Sequence, residues 1–437
     1  MFLKKKFFKA VLDEKKKSEV QNGDILYSNK SCYLIQDFIG EGSYGKVAKC
    51  VNLITSQEVA LKILKTENSY DNIRELKMLK AVGALDPVKA NVLQLLETFE
   101  HNGQTCLAFE MLDRSLHQLL HKPHEPLSLG EIRPVAQQLL VAFKALKEIG
   151  VVHADLKLDN IMLTDHCGEP FKVKLIDFGV SFFTFEKLRR DFIQPLGYRA
   201  PEVTLGLPVS EAIDMWGLGC VLFKMYCDKH LFAVHSTYQS MNDIVDALGQ
   251  PPDHLLSAGY YTLKYFKLNQ DSNRPTWRLM TQECQLRKRP FKSLDERIML
   301  NRKIHGPIEL EDQRAFVRLL KSLLHTDPEK RITPEKALQH PFITMAHLED
   351  KRGTSSYVNK CFEKMLVCRT DESGKKHLPG NGASTKPLAN GAGSSASCSF
   401  DKAGAVSAAS PADRLLAEGP PEVKKNYLKR IRQFFQK

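Results

Sequence analysis

Two short apolar runs, each delivering polar side chains at its end, constrain this chain more than any other feature. The first is Val151-Val152-His153-Ala154-Asp155-Leu156-Lys157-Leu158-Asp159-Asn160, and the second is Lys174-Leu175-Ile176-Asp177-Phe178-Gly179. Apolar runs of this length read as buried strands. Carboxylates and amides at the ends of buried strands are costly unless they have a task, so Asp155, Asn160 and Asp177 mark a polar site between the runs. Asn160 and Asp177 are the hard oxygen ligands that Mg²⁺ takes, and Mg²⁺ neutralises charge on phosphates.

Upstream lies Ile39-Gly40-Glu41-Gly42-Ser43-Tyr44-Gly45-Lys46-Val47. Three nucleotide-binding readings compete for its glycines. A dinucleotide fold needs a helix next, yet alternation of the strand type follows. A P-loop needs Ser or Thr where Val47 stands. The remaining reading is a hairpin whose glycines let backbone lie over phosphates, with Val47 packing on a base. In Val59-Ala60-Leu61-Lys62 the period of two puts Ala60 and Lys62 on one face. A small Ala60 leaves room for a planar base, and the Lys62 ammonium reaches phosphate oxygens. A single lysine on a strand more often faces solvent, so a cleft lysine needs an anionic partner. Glu75, in the helical run Ile73-Arg74-Glu75-Leu76-Lys77-Met78-Leu79, is the candidate.

The 437 residues exceed one average domain. A composition of 43% hydrophobic and 26% charged residues is that of a globular chain with a core. No apolar run approaches the ~18 residues of a membrane span, and Met1-Phe2-Leu3-Lys4-Lys5-Lys6 is not a secretory signal. The expected location is intracellular, in nucleus, cytoplasm or both. The ten cysteines form no Cys-x-x-Cys pair, so neither a disulfide framework nor a zinc site is expected. A net charge of +12 invites a nucleic-acid reading, but no nucleic-acid signature accompanies it. Pattern divides the chain into a basic extension (1–30), a dense region (31–345), a segment at 346–369, a Gly-, Ala- and Ser-rich tail (370–420) and a basic end (421–437). The dense region reads as strands first and helices from about 131, where Val135, Leu139, Leu140, Phe143 and Leu146 form one helical stripe. That order predicts an α+β fold of two lobes, split near 112/113, with a cleft between them.

The conjunction of Gly-rich loop, strand lysine, His-x-Asp-x-Lys-x-x-Asn and Asp-Phe-Gly, in that order, resembles the eukaryotic protein kinases over about residues 35 to 343. Ala200-Pro201-Glu202, Asp214-Met215-Trp216-Gly217-Leu218-Gly219 and Asp327-Pro328-Glu329-Lys330-Arg331 agree, with Arg331 expected to pair with Glu202. Narrower matches at Leu205-Gly206-Leu207-Pro208, Pro275-Thr276-Trp277-Arg278-Leu279 and Val358-Asn359-Lys360-Cys361-Phe362 resemble the homeodomain-interacting protein kinases. That family belongs with the cyclin-dependent, mitogen-activated and dual-specificity tyrosine-regulated kinases. The resemblance implies ATP as co-substrate with Mg²⁺, and protein serine/threonine kinase activity in signalling or transcription regulation. Asp155 would be the proton acceptor, with Lys157, Lys62 and Glu75 as its catalytic company. Asn160 and Asp177 would hold the metal. Ile39 through Val47, Ala60, Lys62, Phe109 as gatekeeper, the hinge Glu110-Met111-Leu112 and the floor residue Met162 would bind ATP. Protein substrates are the expected partners, with transcription regulators implied by the family alone. A scaffold that keeps the kinase fold only for binding is the alternative.

The chain departs from that family in its activation segment. Where the family carries a self-phosphorylated tyrosine, Phe192 stands. Of the two arginines that gather its phosphate, Arg199 remains and Leu196 replaces the other. An apolar Phe192–Leu196 clasp is the expected substitute, with Asp191 near Arg199. At the C-terminus, Val423, Tyr427, Leu428, Ile431, Phe434 and Phe435 form an apolar stripe among Lys424, Lys425, Lys429, Arg430 and Arg432, a basic amphipathic helix. Membrane contact, docking to a partner, nuclear import and a frayed tail all stay open for it.

Overall fold

The computed structural model describes residues 20–42, 45–65, 70–120, 126–186, 193–269, 276–280, 293–299 and 304–369. Ser43, Tyr44, Asp191, Phe192, the Gly-rich tail and the basic C-terminal helix lie outside the described residues.

Six strands form one antiparallel sheet in the order β1-β2-β3-β4-β6-β5. They are β1 (Ile25–Tyr27), β2 (Cys32–Glu41), β3 (Gly45–Asn52), β4 (Glu58–Leu64), β5 (Leu95–His101) and β6 (Gln104–Glu110). The alternation along β3 and β4 sorts their side chains by face. Ala48, Cys50, Val59, Leu61 and Ile63 close a small core with Tyr33, Ile35 and Cys106. The opposite face carries Val47, Ala60 and Lys62, because Val47 pairs with Lys62 in register and Ala60 with Phe109. The β2–β3 hairpin is closed by the Gly42 N–H donating to the Gly45 carbonyl at 2.9 Å. Gly45 tolerates no side chain, since a Cβ there would lie 2.4 Å from the Ile63 carbonyl oxygen.

Helix α1 (Tyr70–Val82) buries Met78, Leu79 and Val82 against the cleft side of the sheet, in one cluster with Leu107, Phe109 and the helical lobe. The apolar contact between lobes is therefore continuous behind the cleft. In the second lobe, α2 (Leu129–Glu148) starts where the Ser128 N–H donates to Glu131 Oε2 at 2.9 Å. Its stripe Val135, Leu139, Leu140, Phe143 and Leu146 is buried as its spacing requires. Helix α3 (Ala212–Cys227) runs through the centre and α4 (Pro307–Leu323), with Pro at its first turn, packs beside it. Beyond these, α5 (Ser356–Lys364) lies on α2, capped by Ser355. Lys364 bonds Glu131 at 3.2 Å, and the Lys172 ammonium donates to the Val367 carbonyl at 3.2 Å.

Two small ladders carry the polar runs. Strand β7 (Val151–Val152) pairs with β10 (Phe182–Phe183), and β8 (Ile161–Leu163) pairs with β9 (Val173–Leu175). Ile161 lies opposite Leu175, and the Ile176 N–H donates to the Asn160 carbonyl at 3.0 Å. This pairing is what sets Asn160 beside Asp177 across the ladder.

Candidate active site

Asp155 sits in the loop between β7 and β8, and that loop is held from beneath. The carboxylate of Asp214, at the start of α3, accepts the N–H groups of His153 and Ala154, each at 2.8 Å. Asp214 is fully buried, and burial pushes its carboxyl up. Ala154 takes φ of 63°, a left-handed conformation that costs a non-glycine residue about 1–3 kcal/mol and persists only under such bonding. His153 donates from Nε2 to the Ile176 carbonyl at 3.0 Å and accepts the Asp155 N–H at Nδ1 at 3.2 Å. The partners fix the tautomer. Phe178 packs edge-on against the His153 ring at 5.2 Å and is fully buried.

On this base, two side chains converge on one oxygen. Lys157 Nζ and Asn160 Nδ2 both donate to Asp155 Oδ2 at 2.8 Å. Asn160 also donates to the Asp155 carbonyl at 2.8 Å. With its NH₂ so used, the amide turns its own oxygen away from Asp155. Asp177, held at φ of 66°, takes the Gly179 N–H on Oδ1 at 3.3 Å. An amide oxygen and a carboxylate, adjacent across a ladder, fit a hard divalent cation.

Across the cleft, Lys62 reaches Glu75 of α1 at 2.5 Å. Glu75 is buried, and its carboxyl is pushed up by burial and by the Asp177 charge against the opposing pull of Lys62. Arg74, the preceding residue, donates from Nε to the Ser181 carbonyl at 3.0 Å and from Nη2 to the Val180 carbonyl. Lys77 bonds Glu186 at 3.3 Å and lies over the Phe183 ring. Arg74 and Lys77, one turn of α1 apart, thus grip the chain just past Asp177.

Ala60 pairs with Phe109 in register on the face that carries Lys62, Met162 lies on β8 opposite Lys174, and Ile39, near the end of β2, is half exposed at 51%. Glu110 behaves in a way that residue patterns did not signal. Its carboxylate accepts from Lys174 at 2.6 Å and from the Gln94 N–H at 2.7 Å, which ties the end of β6 to β9. The available signal was Lys174 itself, a charge inside the apolar run Val173 to Ile176 that had to find a partner.

Toward the end of the activation segment, Arg199 does not wait for an anion. It donates to the carbonyls of Ile193 at 3.1 Å and Gln194 at 3.0 Å, and Gln194 bonds the Ala200 N–H at 2.9 Å. A half-buried guanidinium must satisfy its donors, and nearby carbonyls do so. Glu202 meets Arg331 in a buried bidentate pair at 2.6 and 2.9 Å.

A protein kinase domain model matches residues 33–343. Homeodomain-interacting protein kinase 2 of Mesocricetus auratus is 38% identical over 364 residues, which cover 79% of this chain and 31% of that protein. Homeodomain-interacting protein kinase 1 of Mus musculus is 38% identical over 364 residues, covering 79% of this chain and 30% of that protein. Homeodomain-interacting protein kinase 4 of Homo sapiens is 35% identical over 359 residues, covering 76% of this chain and 58% of that protein. The chain thus spans about a third of the length of the first two relatives. Among the described residues, no helix is long and apolar enough to cross a membrane. On the match over residues 33–343, the chain belongs to the protein kinase family and is similar, within it, to the homeodomain-interacting protein kinases.

Proposed function

We propose that the chain is an ATP-dependent protein serine/threonine kinase that moves the γ-phosphoryl group of ATP to hydroxyls of protein substrates. One observation carries the reading: Lys157 and Asn160 both bond Asp155 Oδ2 at 2.8 Å, which orients the carboxylate and leaves Oδ1 for an incoming hydroxyl. Asp155 takes that hydroxyl's proton late, so its orientation matters more than its basicity. Lys157 places an ammonium beside the path of the transferring group. Lys62, held by Glu75, neutralises the inner phosphates of ATP. Asn160 and Asp177 would hold Mg²⁺, which when bound supplies charge neutralisation on the phosphates. Ala60, Phe109, Met162 and the Glu110–Leu112 hinge would receive the adenine, with Gly40 to Val47 covering the phosphates.

Serine and threonine are favoured over tyrosine by Lys157, by resemblance to Ser/Thr kinases. The domain divisions at 30, 345, 369 and 420 are proposed from the sequence pattern. Binding of transcription regulators, and action in nucleus or cytoplasm, rest on the relatives' family alone. A scaffold that only binds would have no use for the arrangement around Asp155. The test is phosphate transfer from Mg-ATP to a generic basic protein, followed by a peptide array. Magnesium-dependent transfer to serine and threonine is expected. An array dominated by tyrosine would overturn the substrate class, and absence of any transfer would overturn the activity.

A further inference from the structure

The turn between β8 and β9 gathers side chains that phosphoryl transfer does not use. His166 donates from Nδ1 to Asp113 Oδ2, on the residue that follows the hinge, and turns Nε2 toward Cys167 Sγ, 3.3 Å away. The His166 N–H donates to the same Asp113 oxygen at 2.9 Å, and Asp113 itself is tied to the turn's strand by its N–H to the Leu163 carbonyl at 3.0 Å. One ligand atom each from Asp165, His166 and Cys167 lies within 4.8 Å of the others, the only such grouping among the described residues.

We infer that Asp165, His166 and Cys167 form a binding site for a borderline-soft divalent metal ion of the zinc class, with Asp113 orienting the histidine. The donor set decides the class of ion. A thiolate, an imidazole and a carboxylate suit zinc, whereas magnesium takes oxygen. The spacing fits as well. Sulfur at ~2.3 Å and nitrogen at ~2.0 Å from one tetrahedral ion stand about 3.5 Å apart, and Sγ and Nε2 are 3.3 Å apart without one. Because a carboxylate only accepts, Asp113 fixes the proton on Nδ1 and leaves the Nε2 lone pair facing the thiol. A carboxylate behind a metal-binding histidine plays this part in zinc sites generally.

Asp165 is placed in the same sense. Its Oδ1 accepts the N–H groups of Cys167 at 3.0 Å and Gly168 at 2.9 Å, bonds that hold its carboxyl below the usual range. Its Oδ2 lies over Gly168, where a Cβ would come within 2.5 Å, so glycine leaves that oxygen its space. The turn accounts for Asp165 Oδ1, but it needs neither the His166–Cys167 pairing nor the Asp113 bond. Cys167 is exposed, so an ion can enter, and three protein ligands leave a fourth position for water. A bound ion would fasten the turn to Asp113 and so to the end of the hinge.

The experiment uses Co²⁺ as a spectroscopic probe on the full chain, with Mg²⁺ in excess to occupy oxygen sites. A thiolate-to-cobalt charge-transfer band saturating at one equivalent, and displaced by Zn²⁺, is expected. Cys167→Ser and His166→Ala, each with an unchanged melting curve, should abolish the band. Asp113→Asn should weaken Co²⁺ binding ~10–100-fold. No band in the unsubstituted protein, or a band that survives Cys167→Ser, would overturn the site. Unchanged affinity in Asp113→Asn would overturn the orienting role.

Discussion

Replacing Asp312 with asparagine should destabilise the whole helical lobe, because that carboxylate compensates a charge with no access to water. Asp312 of α4 and Arg133 of α2 have fully buried side chains, and Arg133 Nη2 donates to both carboxylate oxygens at 2.5 and 2.6 Å. His347 Nε2 donates to Oδ1 at 2.9 Å and the Tyr357 hydroxyl to Oδ2 at 2.6 Å, so the segment beyond the core hangs on the same group. Asparagine keeps the shape but removes the charge and turns a donor toward one of these donors. Losing one partner of a buried pair costs about 3–5 kcal/mol. At roughly 2–4 °C per kcal/mol for a large domain, the melting temperature should fall on the order of 10 °C. Tyr357→Phe, which removes a single hydrogen bond, should cost only about 1–1.5 kcal/mol. Burial alone would raise the Asp312 carboxyl, but the bonds from His347 and Arg133 and the guanidinium charge hold it below the usual range. A depressed carboxyl stabilises above the unfolded value of ~3.9 and loses that contribution as pH falls through its folded value. Asp312→Asn should therefore also flatten the acid limb of stability below about pH 4. Scanning calorimetry against pH, with protease access to α5, reads both effects. A melting temperature within about 2 °C of the unsubstituted protein would refute the uncompensated-charge argument.

Three further outcomes are expected. Glu75→Gln should lower turnover ~100-fold or more without lowering the melting temperature at pH 7: a raised carboxyl contributes stability that is lost, not gained, as pH rises through the window up to its folded value. For the same reason the acid limb of kcat/KM should lie above the ordinary carboxylate range and vanish in the variant, which a pH–rate profile checks. Asp214→Ala strands two buried N–H groups at about 1–3 kcal/mol each and should lower kcat far more than it changes KM for ATP, read by steady-state kinetics. Exhaustive dephosphorylation should leave activity intact, since Arg74 and Lys77 grip the chain after Asp177 without any phosphate; loss of activity traced to Ser181 or Thr184 would point to a substitute phosphosite.

The polar centre was legible because each piece is local. Val151 to Asn160 and Lys174 to Gly179 carry their chemistry within a few residues, and period-two patterning alone put Ala60 and Lys62 on one face. The Lys62–Glu75 contact was reachable because a cleft lysine demands an anion and a helical glutamate lay close in sequence. Glu202 and Arg331, 129 residues apart, could be joined only by resemblance. Arg133 and Asp312, 179 residues apart, gave no local sign of each other, since the fold alone brings α2 to α4. The expectation for Arg199 shifted for a physical reason: half burial made it take backbone carbonyls as partners. The expectation of no zinc site rested on Cys-x-x-Cys spacing, which does not bear on the proposed Asp165–His166–Cys167 grouping, where His and Cys are consecutive. The proposed Phe192–Leu196 clasp lies in part outside the described residues.

Asp155, oriented by Lys157 and Asn160, is proposed to accept the proton of the substrate hydroxyl. The most direct measurement compares Asp155→Asn with the unsubstituted protein for phosphoryl transfer and, separately, for ATP affinity by calorimetry. Transfer reduced by a factor of ~10² or more is expected, with ATP affinity changed less than about threefold. An Asp155→Asn protein that retains most of its transfer activity while binding ATP normally would contradict it.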